Sequence, residues 1–304
     1  AITSVVNNNL VSTTSGTGVM VQSTNSGAID STILGNIIKG TNTIAFQVAS
    51  NGSASPITSV IGNNALTASG GSGVSVFSFG ANSSINSSIF SNSFTGLAGS
   101  GITVQGSSPG SAVVSSITGN TIQGTSGTGI TVMTNSGGAI TSIISGNTLT
   151  ANSGPGINVQ ATGGGAISST ITSNTLTGLT GTGIQIMTNG VGGSITSLVN
   201  NNLIVTTSSG GVTIQSTISG AIDSTILGNI VKGTNNTGFF VMTNGSGAAI
   251  TSIISGNSLT ASGGQGINVQ ATNGGAINST VTSNTLTGLS TIGAQIMVNG
   301  PAAP

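Results

Sequence analysis

Apolar residues occupy alternate positions in short runs, and the runs recur down the whole chain. Take one asparagine per repeat as position 0, Asn147 for example. Ile140 stands at −7 and Ile144 at −3, with Ser142 between them at −5. Side chains of a strand alternate between its two faces, so these three share one face. Leu149 follows at +2, and Ile157 and Val159 form an alternating pair at +10 and +12. The spacing is two rather than 3.6, which predicts strands, three short ones per repeat, separated by Gly/Ser/Asn turns.

The repeat is found eleven times, with position 0 at Asn9, Asn36, Asn64, Asn92, Asn120, Asn147, Asn174, Asn202, Asn229, Asn257 and Asn284, spaced 27 or 28 residues apart. Position −5 is serine throughout: Ser4, Ser31, Ser59, Ser87, Ser115, Ser142, Ser169, Ser197, Ser224, Ser252 and Ser279. Position +9 is glycine in ten repeats and Ala45 in the other. Variation in length falls after +12, in stretches such as Thr162–Gly165 and Asn244–Gly247, where a loop absorbs insertions.

One such repeat cannot bury its apolar face, whereas stacked copies bury a continuous core. The expectation is therefore a single all-β solenoid domain over residues 1–304, with about eleven coils of 27–28 residues. Parallel strands about 4.8 Å apart make this a rod about 50 Å long. Equivalent residues then form ladders. The asparagine amides and serine hydroxyls are expected to bond to one another and to turn backbone, satisfying buried polar groups. Six-residue strand units, the mark of a left-handed hexapeptide helix, are absent.

The succession Ile-x-Ser-x-Ile, Asn, aliphatic, then Gly-Ile-x-Val resembles the right-handed parallel β-helix of pectate lyases, phage tailspikes and autotransporter passengers. The resemblance covers about residues 1–300. An asparagine ladder at a turn is characteristic of the pectate-lyase-like group, and position 0 matches it. The architecture hosts many activities, so the resemblance implies the fold and not the function.

Composition removes several classes of function. Mean hydropathy is +0.38 and net charge zero, opposite to the low hydropathy and high charge of disordered chains. The only charged side chains are Asp30, Lys39, Asp223 and Lys232, and His, Cys, Trp and Tyr are missing. No basic patch is available to bind nucleic acid, and no run of 18 apolar residues forms a membrane-spanning segment. Pectate lyases use clustered acidic residues for calcium and a basic residue as base; no such cluster is present here. Asp30 and Asp223 lie seven coils, about 34 Å, apart on strand spacing, too far to share a glycosidic bond. The serines have no neighbouring His or Lys to act as base. The chain is accordingly expected to be non-enzymatic, with no cofactor, no metal site and no catalytic residue.

Function is then sought on outer faces and ends. Position +13 alternates Gln105, Met133, Gln160, Met187, Gln215, Met242, Gln270, Met297. Met133, Met187, Met242 and Met297 are candidates for lateral contact between rods. Thr-rich outward positions −6 and −4 resemble ice-binding faces, but Asp30, Val114, Asp223 and Asn278 interrupt them. The chain begins at Ala1, not Met, which fits a processed or partial chain. It closes at Pro304, near a whole number of coils, and no helical pattern caps it. The leading expectation is a structural subunit of an extracellular or cell-surface filament, built by head-to-tail stacking of solenoid ends with itself as partner. The alternative is a stalk fragment of a larger adhesin or autotransporter-type passenger. Carbohydrate or ice binding is an outside alternative.

Overall fold

The computed structural model describes residues 1–300 apart from Thr14, Ala151 and Ser262, and omits the side chains of Ala68, Ser69 and Ala261. Pro304, taken above as the end of the eleventh coil, lies outside the described residues. In the first coil the alternating runs become β1 (Ile2–Asn7), β2 (Leu10–Ser12) and β3 (Val19–Ser23). Each of the ten later coils repeats the three strands. The outcome is three parallel sheets of eleven strands each. The first sheet runs from Ile2–Asn7 to Ile277–Thr282, the second from Leu10–Ser12 to Thr285–Thr287, and the third from Val19–Ser23 to Ala294–Asn299. The molecule is a right-handed parallel β-helix, the hand adopted by nearly all parallel crossovers.

Register follows the ladder positions. Ile2, Ser4 and Val6 pair with Ile29, Ser31 and Ile33, and Ile140, Ser142 and Ile144 with Ile167, Ser169 and Ile171. A shift of one residue would turn the whole aliphatic face outward, so the pattern fixes the register. The second sheet carries two local slips, between Leu176 and Leu179 and between Lys232 and Thr234. Both fall in the polar turn after +2, a place where the sequence spacing showed no variation.

The bend from the first to the second sheet is made by the residue before each ladder asparagine. All eleven have left-handed φ, from 51° at Ser91 to 64° at Gly35. Only Gly, Asn and Ser occupy this position, among them Gly146, Asn201 and Ser173, in keeping with the steric cost of that region for branched side chains. The glycine at +9 is favoured for a different reason. A Cβ on Gly183 would lie 2.3 Å from Cγ2 of Ile204 and 2.7 Å from the carbonyl oxygen of Gly211, so at this rung a side chain would press on the next coil, although Ala45 is accommodated at +9 in the second coil.

One apolar core runs through the rod, built from positions −7, −3, +2, +10 and +12, with Phe46, Phe94 and Phe239 as its largest members. Ile2, Val6 and Val11 at one end and Ile277, Val281, Leu286 and Leu289 at the other are only partly covered.

Candidate functional site

The asparagine ladder sits at the corner between the first and second sheets. Nine of its eleven members are buried, the exceptions being Asn9 and Asn284 at the ends. Every asparagine before the last gives two hydrogen bonds to the Oδ1 of the next. Asn147 donates its backbone N–H at 2.9 Å and Nδ2 at 3.0 Å to Oδ1 of Asn174. The other Nδ2 hydrogen turns back to the preceding coil, to the carbonyl of Ile117 at 2.9 Å. Each side chain thus joins three coils. The ladder is also polar: donors point toward the C-terminal end and acceptors toward the N-terminal end.

The serines do not behave as expected. From Ser4 to Ser224, nine of the eleven hydroxyls have no hydrogen-bond partner. Ser252 and Ser279 alone in this row pair, at 2.5 Å. The reason is geometric. An amide separates its acceptor from its donor by about 2.2 Å, so copies translated by about 4.8 Å come within hydrogen-bond reach. A hydroxyl donates and accepts at one atom, so identical rotamers stay a full strand spacing apart. The serine row is a row of small inward side chains between two aliphatic rows, not a bonded ladder.

The terminal rungs differ from the rest. Oδ1 of Asn9 receives no bond from another ladder asparagine, and Asn284 has none beyond it to which to donate, though its Nδ2 still reaches the Ile254 carbonyl at 2.8 Å. Ile296 of the last coil is 53% exposed, whereas its counterparts in inner coils, Val132 and Ile186, are fully covered. Among the described residues no helix covers either edge. The exposed edge of coil eleven offers donors and apolar rows. The exposed edge of coil one offers the matching acceptor and the same apolar rows.

Outer faces carry little chemistry. Asp30 and Asp223 are exposed on the first sheet, and Lys39 and Lys232 on the second. They therefore stand on different faces of the rod rather than as a local pair. Among the described residues no group of three or more His, Cys, Asp or Glu lies together to hold a metal. Met133, Met187, Met242 and Met297 fall in one outward column of the third sheet, alternating with Gln105, Gln160, Gln215 and Gln270 on neighbouring strands. Within that sheet Nε2 of Gln295 donates to Sδ of Met297 at 3.5 Å. An open groove of about 300 Å³ crosses the first sheet beside Asp223, lined by Ser, Thr and Leu198. Another of about 210 Å³ lies on the third sheet around Phe240, Asn268 and Gln270. Neither brings together an acid and a base.

Sequence reasoning missed two features. The first is the direction of the asparagine ladder, which requires coordinates to see. The second is Asn152, 1% exposed, with neither side-chain amide atom bonded. It stands at +5, where Leu97, Leu179 and Leu289 occupy other coils. The remaining seven coils carry Thr or Ser at +5, so nothing in the sequence signalled that a polar residue there would be left without a partner.

No protein-family profile matches the chain, and no curated protein sequence does. Among solved structures, the crystal structure of the Dettilon tailspike protein (gp208) is similar, with 12% identity and a TM-score of 0.38 over 88% of this chain. The chain spans 62% of the length of that protein. Among the described residues no helix is long and apolar enough to cross a membrane.

Proposed function

We propose that this protein is a non-enzymatic structural element, a subunit of an extracellular filament formed by head-to-tail stacking of its solenoid ends. The observation that carries the reading is the complementarity of those ends. A second copy placed beyond coil eleven would set its Asn9 Oδ1 against the N–H and Nδ2 of Asn284, repeating a bond made at ten rungs inside the rod. In the same register Ile277, Ser279 and Val281 would meet Ile2, Ser4 and Val6, the pairing found between every two coils. A contact of this kind is heterologous and does not close on itself, so it propagates as a fibre. The near-absence of charge fits a chain that ends in an assembly, since a neutral surface serves a free monomer poorly.

The same edges would be continued covalently if the rod is a stalk within a longer surface adhesin or autotransporter-type passenger. Intact mass from the native source separates the two. A mass near 28.9 kDa supports the subunit, and a far larger one the stalk. Electron microscopy of the purified chain tests the filament itself: long fibres support it, and discrete short rods at all concentrations rule it out.

A further inference from the structure

The four charged side chains are arranged so that one rod matches another. Both carboxylates, Asp30 and Asp223, stand exposed on the first sheet, and both lysines, Lys39 and Lys232, on the second. Each acid shares a coil with one lysine, and the two coils are seven apart, about 34 Å along the axis. We propose that the first sheet of one rod docks against the second sheet of a second copy lying alongside it, parallel and in axial register.

Three observations select this pairing. With rods level, Asp30 meets Lys39 of the neighbour and Asp223 meets Lys232, so all four facing charges are matched. First sheet against first sheet sets acid against acid whether the rods run parallel or antiparallel, and second against second sets lysine against lysine. Antiparallel first-to-second pairing also matches charge, but apolar exposure favours the parallel form. Val5 (69% exposed) and Leu10 (68%) occupy the same coil on the two faces and cover each other when the rods are parallel; inverted, Val5 faces Ser258.

The second sheet limits the contact. Three residues wide and eleven strands tall, it offers about 10 by 48 Å, so the contact buries about 1,000 Å² over both partners, the lower bound for a specific interface. Association is therefore weak, reversible and salt-sensitive. It leaves a free second sheet on one rod and a free first sheet on the other, so further copies add sideways. It does not depend on end-to-end stacking.

The test is sedimentation velocity of the full chain at low and at molar salt, with particle width read by negative stain. The intact protein is expected to widen beyond a single rod at low salt and to separate at molar salt, where surface charges are screened. Two variants reverse one face each: Asp30→Lys with Asp223→Lys, and Lys39→Asp with Lys232→Asp. Each alone is expected to associate about tenfold more weakly, since two attractive exposed pairs become repulsive. An equimolar mixture regains association, because the altered first sheet of one fits the altered second sheet of the other. Rods of single width at both salts, or a mixture that fails to recover, would overturn the proposal. End-to-end growth lengthens particles without widening them and is untouched by these substitutions, so either proposal can fail alone.

Discussion

Asn257 donates both its backbone N–H and its side-chain Nδ2 to one oxygen, Oδ1 of Asn284, at 3.0 Å each. The acceptor's own donors find no further asparagine. Inside the rod the same unit is closed on both sides, and that is where its contribution to stability is largest.

Asn147→Ala removes the oxygen that receives two bonds from Asn120, at 2.9 Å each, and the donor to the Ile117 carbonyl. It also takes the Nδ2 donor from Oδ1 of Asn174, leaving that oxygen only the backbone N–H of residue 147. Several buried polar groups lose partners at once, so the expected loss is about 3–5 kcal/mol in chemical denaturation. The same substitution at Asn9, which is exposed and ends the ladder, is expected to cost under about 1 kcal/mol in the isolated rod. Equal losses at the two sites would refute the ladder as the source of the effect.

Asn152→Leu is expected to stabilise. Both amide atoms of Asn152 are buried without a partner, and leucine already fills the equivalent site at Leu179, which is fully covered. Removing an unsatisfied amide for an apolar group of similar size is expected to gain about 1–3 kcal/mol. A lower denaturation midpoint for the variant would show that the amide has a role these contacts do not reveal.

Gly183→Ala tests the close approach at +9. The added methyl would press on Ile204 and the Gly211 carbonyl, and the backbone on the far side cannot retreat without disturbing the next coil. A loss of about 1–3 kcal/mol is expected from overpacking. Ala45 fills this position in the second coil, so an unchanged midpoint for Gly183→Ala would mean that the coil spacing relaxes at both sites.

The methionine column is a separate candidate for lateral contact, on the third sheet. Replacing Met133, Met187, Met242 and Met297 together by Lys adds four like charges to that face and is expected to thin any bundles without shortening filaments. Bundle width in electron micrographs reports it, and unchanged width would remove this column from the contact.

Much of the fold was legible before coordinates. Eleven aligned repeats fixed strand number, register and core because a period of two and a constant spacing leave one consistent stacking. The inward position of Ile140, Ser142 and Ile144 followed from alternation alone. What could not be read was the difference between two polar rows. Asparagine and serine recur with equal fidelity, yet only the amide spans the gap between coils. The slips at Leu179 and Thr234 were also hidden, because they compensate within one turn and leave the repeat length unchanged. The assembly surfaces were only partly visible. The sequence placed Asp30 and Lys39 in one coil, but only the turn geometry assigns them to two faces.

The central claim is that coil eleven of one molecule stacks on coil one of the next. Cryo-electron microscopy of the purified chain tests it most directly. The account predicts fibres one rod wide or wider, with a strand spacing of about 4.8 Å and a subunit repeat of eleven such spacings, about 53 Å, unbroken across the junction. Discrete rods about 50 Å long at every concentration, or fibres whose junctions break the strand spacing, would contradict it.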